Sequence, residues 1–546
     1  MKRMKFFGFG IIYLLVMIPM VFAGGGQSQG AAGSSASSTA TYVGPNRSHN
    51  GYPLPITEKP IEIEAIINSN PIIPDIHHGN VVKWLAEQTN IKLNISQIST
   101  EQINLIFASR DFPDIMLRTN IGTSPYITAA RDGDIIKLDD LLQKYSPSWW
   151  KFFNENQLIK NQCSVDGSIS YLPLIWWEEY TRNIRDLPWI NKTWLDELGL
   201  KVPATTEEFK NVLLAFKNNA GKGSIPKEVR PWLFGLPTEQ NGTWYEMMAY
   251  FGVFLPSGQN WNVADNGTIV NNTINPDIVL PLKYMQDLYR SGLIPPESLD
   301  NLDINEYIRM TSSNPPLAGF YMGNSNLNAN HFIPIAPFKS PSGKTPFIRT
   351  QAWVANMNQE FVIFEKCKDP VALVKLMEYL AVDIEARATV IYGMKDVVWE
   401  FTPDGKVNRL FWTNDPRWQQ NSMSTGFTDT FPNLMLPDYF NNHYFNANLT
   451  RVNTVEWAYE NIWKHTQPPA NLKVPVYGSI TDTNRVTRMN AIGSDIAALR
   501  LQTITRWIST NANIDAEWNG FVTQVKALGY DEYLKYLQEL YDLVNK

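Results

Sequence analysis

The sequence predicts an α/β protein of two or more lobes, and three features carry that reading. The chain has 546 residues, 44% hydrophobic and 12% aromatic, whereas a single hydrophobic core stops growing near ~250 to 300 residues. From Lys59 onward, segments with a two-residue apolar period alternate with segments of helical period, the pattern of a parallel sheet covered by helices. Capped amphipathic helices then recur as far as the C-terminus.

The N-terminus reads as an export signal. A basic start, MKRMK, precedes the apolar run Phe6–Phe22, and Val21 and Ala23 are the small residues a signal peptidase reads, so residues 1–23 are expected to be a signal peptide. The run is broken by Pro19 and, at ~1.5 Å per helical residue, is short for a bilayer core of ~30 Å; an uncleaved anchor is the alternative. Residues 24–58, opening GGGQSQGAAGSSASSTAT, read as a flexible tether too poor in apolar surface to fold. Gly24 stands where a lipid-modified cysteine would follow Ala23. The cysteines are Cys163 and Cys367, so no acyl anchor is expected, and spacing leaves open whether the two pair.

IEIEAII places Ile61, Ile63, Ala65 and Ile67 on one face of a strand. A helix follows through GNVVKWLAEQTN, then a strand with Ile91, Leu93 and Ile95, a helix capped by Thr100, and the apolar run FPDIML. Ligands are expected beyond the carboxyl ends of such strands, here NSNPIIPD and RTNIGTSP. Asp139 and Asp140 read as the polar cap of a helix in KLDDLLQKY. Further on, Gly199 stops a helix, Thr205 and Glu208 make a capping box, and Phe209, Val212, Leu213 and Phe216 line one face of the next helix. Asp369 and Pro370 open a single long helix ending near Gly393. Two C-terminal helices are separated by Gly529, and residues 400–510 carry little pattern.

Six segments, in order, resemble extracellular solute-binding proteins of family 1, specifically the long oligosaccharide-binding branch that serves ABC transporters: WLAEQTNIKL, ASRDFPDIML, TWLDELGLKVPATTEEFKNVLLAFK, LYRSGLIPPE, IYGMKDVVWEFTPDGKV and WNGFVTQVKALGYDEYLKYLQELYD. The resemblance implies a two-lobed periplasmic-binding-protein-like fold of the maltose-binding type (type II), with hinge crossings and a sugar in the cleft. Lobe I is expected at 59–180 and 350–430, lobe II at 181–349 and 431–546, and the crossings near 175–185 and 345–352. Implied partners are an oligosaccharide and a membrane ABC permease, with the chain itself a monomer, periplasmic or at the cell surface. Members of this branch often carry a calcium loop after the helix matching EEFKNVLLAFK. The segment here, NNAGKGSIPKEV, has no carboxylate between Asn218 and Ile225, so no metal is expected there, and no cofactor is expected elsewhere.

The stretch YLPLIWWEEYTRNIRDLPW is the strongest candidate site. Neighbouring side chains of an extended segment face opposite ways, so Glu178 and Glu179 are poorly placed to converge as a glycosidase acid pair. Alternation instead pairs Trp176 with Glu178 and Trp177 with Glu179, each a flat apolar surface beside a hydroxyl acceptor, which suits a sugar; one of the two tryptophans is expected to be core. Loops and crossings supply the other candidates: Asn68, Asn70, His77, Asn120, Trp244, Tyr321, Arg349, Trp353, Tyr392 and Trp399. No Walker loop, dinucleotide fingerprint or Gly-x-Ser-x-Gly elbow is present. The formal charge of -6, without a Lys/Arg cluster, argues against nucleic acid as partner and disfavours a polyanionic glycan. The reading is therefore a binding component without catalysis. A secreted carbohydrate-active enzyme and a sensing protein for a membrane receptor are the alternatives.

Overall fold

The computed structural model describes residues 47–69, 75–119, 121–175, 187–234, 245–255, 261–264, 266–300, 302–323, 326–348, 355–411, 417, 420–426, 454–466 and 482–545. All of them lie in one compact unit, Tyr42–Lys546. The expected signal peptide and the first part of the expected tether lie outside the described residues.

The strands that position the site are, in chain order, β1 Ile61–Asn68, β2 Ile91–Ile98, β3 Ile115–Leu117, β4 Leu172–Ile175, β5 Leu187–Asn191, β6 Arg230–Leu233, β7 Ala318–Gly323, β8 Phe332–Pro334 and β9 Ala355–Ile363. They form two sheets, ordered β2-β1-β3-β9-β4 and β8-β5-β7-β6. In the first, β1 runs parallel to β2 and β3, while β9 runs antiparallel to β3 and β4. The carboxyl ends of β1, β2, β3 and β4 therefore share one edge with the amino end of β9. In the second, β7 is parallel to β6 and antiparallel to β5, which is antiparallel to β8. There the carboxyl ends of β6, β7 and β8 share an edge with the amino end of β5.

Each sheet lies in its own core. Lobe I packs residues between Leu54 and Leu172 with residues between Phe361 and Phe411. Lobe II packs residues between Leu187 and Ile348 with residues between Ala458 and Leu537. Alternation works as the sequence predicts in β1, where Ile63, Ala65 and Ile67 are buried; these sit over Val81, Val82 and Leu85 of the helix Asn80–Thr89.

Several local expectations shift by a residue, each for a hydrogen-bonding reason. Ser99, not Thr100, caps the helix Thr100–Ser109, because its side chain accepts the Gln102 N–H while Gln102 Oε1 accepts the Ser99 N–H at 2.9 Å. Asp139 and Asp140 lie in the first turn of their helix, and Asp139 accepts the Ile169 N–H at 2.8 Å. Thr205 caps as expected, yet Glu208 reaches back to the Ala204 N–H rather than to that of Thr205. The single helix expected after Asp369 is two, Pro370–Val382 and Ile384–Tyr392, because Asp383 leaves helical geometry and its carboxylate accepts the Ala386 N–H.

Two larger features depart from the reading. Residues 47–58 do not behave as tether: Leu54 is buried, the Tyr52 hydroxyl donates to the Lys375 carbonyl at 3.0 Å, and the Asn50 N–H donates to Asp383 at 2.7 Å. Their apolar residues are few, but Tyr52, Leu54 and Ile56 pack on the lobe I core. The unpatterned span before residue 510 contains a 27-residue helix, Thr483–Ser509, capped by Asp482.

Candidate functional site

Of the predicted site residues, Asn68 stands at the lobe I edge, where β1, β3 and β4 end and β9 begins. Asn68 closes β1, and its Oδ1 is buried without a hydrogen-bond partner among the described residues. Beyond β3 the chain turns through Arg118, whose φ of 47° lies in the left-handed region. Thr119 follows, fully buried, with its Oγ1 likewise unpartnered among the described residues. Register places Ile67 beside Leu117, so both polar groups stand at neighbouring strand ends. The reading named Asn68 and missed Thr119, since a threonine in a loop carries no signal until its burial is known.

His77 shapes the loop after β1. The Ile95 N–H donates to its Nδ1 at 3.1 Å, which leaves the ring proton of the neutral imidazole on Nε2. His78 packs edge-on against it at 4.9 Å and bonds Asp75 at 2.8 Å; that hydrogen bond holds the Asp75 carboxyl below its ordinary range. A segment the sequence did not single out closes the same corner: Asn80 donates to Ser424 Oγ at 2.8 Å, and the Met394 N–H to the Ser424 carbonyl at 2.7 Å. This closeness requires Gly393, at φ 127°, where a Cβ would stand 2.4 Å from the Ser424 carbonyl oxygen.

Two aromatic candidates are corrected. Tyr321 is fully buried in lobe II on β7, and its hydroxyl accepts the Leu327 N–H at 2.8 Å. Trp399 is also fully buried, its indole donating to the Gly393 carbonyl at 2.8 Å and its ring meeting Phe401 edge-on. In both, the polar atom is consumed by backbone, so neither offers a face to a ligand. Tyr392 is half-buried beneath the Arg409 guanidinium at 4.6 Å. Asn70, Asn120, Trp176, Trp177, Glu178, Trp244, Arg349 and Trp353 lie outside the described residues. Chain connectivity alone places Trp176, Trp177 and Glu178 directly after β4, and Arg349 and Trp353 directly before β9.

No protein-family model matches the chain. It is 24% identical over 529 residues to the fructooligosaccharide ABC transporter substrate-binding protein FusA of Streptococcus pneumoniae, covering 92% of this chain and 94% of that protein. The structure of FusA in complex with kestose matches with a TM-score of 0.75 at 21% identity, covering 88% of this chain and 99% of that one. An HMO-binding, ABC-transporter-associated solute-binding protein from Bifidobacterium longum infantis matches with a TM-score of 0.71 at 20% identity, covering 89% and 99%. The fold is that of the ABC-transporter solute-binding proteins. The resemblance carried by the six sequence segments and the two-lobed α/β fold it implied are thus borne out.

Within this solute-binding fold, the loop associated with calcium does not fit that ion. Lys217 Nζ donates to the Ser291 carbonyl at 2.7 Å and Lys222 Nζ to Asn219 Oδ1 at 3.2 Å. The carboxylate of Glu197 accepts the Ser224 N–H at 3.0 Å. The oxygens near this loop are thus engaged by ammonium groups and a backbone amide, and none of residues 219–224 supplies a carboxylate, where calcium takes a cage of several oxygens. Both cysteines are buried and free; burial pushes the Cys367 thiol up to about 11 and that of Cys163 higher still, so neither presents a thiolate.

Proposed function

We propose that this chain is the extracytoplasmic substrate-binding component of an ABC importer and that it captures an oligosaccharide between its lobes. One observation carries the reading: residues 176–186 lead from the carboxyl edge of the lobe I sheet into the corresponding edge of the lobe II sheet, and residues 349–354 lead back to the amino end of β9 on the first edge. Ligands of open α/β sheets sit at such edges, and hinge closure about two crossings encloses what lies between them. The similarity to FusA, described in complex with kestose, supports a sugar.

In this mechanism one of Trp176 and Trp177 presents a flat surface to the C–H face of a sugar ring, while Glu178 accepts from its hydroxyls. Asn68 and Thr119 add polar groups at the neighbouring strand ends. The chain then docks, as a monomer, on a membrane permease. Among the described residues no helix is long and apolar enough to cross a membrane, and the apolar N-terminus supplies the export signal. No bond is cleaved, because adjacent glutamates do not bracket a glycosidic linkage.

The test uses the mature protein and a panel of oligosaccharides that includes kestose. A ligand at 100 times its Kd adds about 2.7 kcal/mol to stability, so melting temperature is expected to rise for one related group of sugars. The radius of gyration in solution scattering falls with it, and chromatography recovers every sugar uncut. Shorter products that vanish on Glu178→Gln would establish the enzyme reading instead; no melting shift with any sugar removes the oligosaccharide.

A further inference from the structure

A cavity of about 510 Å³ opens on lobe II, within the roughly 300 to 1,000 Å³ typical of small-molecule sites. It is built from the first turns of the helices Val279–Arg290 and Ile514–Ala527 and from the turn at Ser342–Lys344. None of its lining residues stands at a strand end. Its floor is apolar: Phe251, Val279, Leu280 and Trp518. Leu280 is 40% exposed and lies on the outward face of its helix with Lys283. Gly252, at φ 77°, permits the close wall, since a Cβ there would stand 2.4 Å from the Lys344 Cβ.

The rim carries two ion pairs, Lys283 with Asp515 and Lys344 with Asp277, each at 2.6 Å. Exposed pairs of this kind add little stability. Each ammonium retains donor hydrogens and each carboxylate retains lone pairs after the pair forms. The rim is therefore neutral in sum and rich in both donors and acceptors, and Ser342 adds a hydroxyl. A charged ligand would meet a like charge beside each opposite one, so its net electrostatic gain is small. A neutral ring with hydroxyls around its margin and an apolar face matches both the floor and the rim.

We propose that this cavity is a second saccharide site, separate from the interlobe edge, which takes a neutral di- or trisaccharide unit by stacking on Trp518 and Leu280. It holds a short sugar, or one end of a longer chain, outside the cleft.

Native mass spectrometry of the full mature chain with kestose, maltotriose and xylotriose counts bound sugars. With at least one of the three, the wild type is expected to bind two equivalents, and Leu280→Glu and Trp518→Ala to bind one. Trp518 also packs on Trp507 and Phe521; Leu280→Glu, at an exposed position, therefore separates loss of the site from loss of the fold. Trp177→Ala, which bears on the interlobe reading, is expected to leave the second equivalent in place. The proposal is overturned by the absence of a second equivalent with all three sugars, by its persistence in Leu280→Glu, or by its loss in Trp177→Ala.

Discussion

Replacing Tyr321 by Phe removes one oxygen from lobe II and leaves the ring in place. That ring lies parallel to Trp189 at 6.5 Å and edge-on to Phe332 at 4.8 Å, and the residue is fully buried. The hydroxyl accepts the Leu327 N–H at 2.8 Å, whereas Asn326 Oδ1, at 3.5 Å, is too far to contribute much. The variant therefore creates no cavity but strips one backbone donor of its acceptor, a loss of about 1 to 3 kcal/mol for a buried group. Leu327 is only partly buried, so water can reach part of the way and the lower half of that range is expected. Tyr321→Ala adds a cavity and should lose ~3 to 5 kcal/mol. Urea unfolding followed by tryptophan fluorescence reads the stability, with an unchanged slope showing that the unfolded state is the same; calorimetric titration with the preferred sugar reads binding. Lower stability with unaltered affinity is the expected pair of results. Unaltered stability with weakened sugar binding would refute the core placement and return Tyr321 to the ligand site.

Alkaline pH tests the buried tyrosines together. Burial raises the pKa of Tyr126, Tyr171, Tyr284 and Tyr321 above the ordinary value of 10.0, and pushes Tyr530 and Tyr533 up to about 12. Above about pH 10 the unfolded chain releases protons that the folded chain keeps, so stability is fully present below that pH and falls as pH rises beyond it; a urea midpoint that holds steady well above pH 10, or tyrosinate absorbance that appears before unfolding, contradicts this. Calcium is expected to leave the melting temperature of the mature protein unaltered, while Lys217→Met, which removes a cation from the carboxyl end of the helix Val279–Arg290, lowers stability by ~0.3 to 1 kcal/mol; a calcium-dependent rise in melting temperature refutes the lysine account of that loop.

The lobe I sheet was legible because its signals are local. A two-residue period fixes which side of β1 is buried, and Thr205 and Asp369 cap helices through bonds to amides three residues on, while the cap read at Thr100 falls one residue earlier at Ser99. The break at Asp383 was less visible, because the apolar pattern runs unbroken across it and a single carboxylate decides the geometry. The helix Thr483–Ser509 was missed although Val486, Met489, Ile492, Ile496 and Leu499 recur at three- and four-residue intervals behind an Asp482 cap; polar residues between them dilute the apolar stripe. Its burial comes from remote partners: Gln286 donates to the Trp507 carbonyl at 2.7 Å, and Trp507 itself is fully buried. Such stabilisation is tertiary, and the segment itself shows only which face is to be buried, not against what.

The candidate site was legible only as an edge, and the reason is geometric. Which strand ends share a side follows from the βαβ order, so the loops after β1 and β3 could be chosen from sequence. Whether an aromatic side chain near such an edge faces ligand or core depends on what its polar atom can reach once distant strands are paired. Tyr321 sits beside a Gly- and Asn-rich turn and Trp399 beside a loop, as a ligand contact would, yet Leu327 and Gly393 consume their polar atoms. The opposite holds for Asn68 and Thr119, whose polar atoms are buried and unclaimed among the described residues. An unclaimed buried donor or acceptor is disfavoured in a finished core, and it gains most when a ligand hydroxyl arrives. Position decides as much as polarity, since the buried indole N–H groups of Trp149, Trp194 and Trp232 are likewise unclaimed among the described residues yet lie inside the two cores; what marks Asn68 and Thr119 as candidates is that their unclaimed atoms stand at strand ends, a placement that exists only after the sheet has assembled.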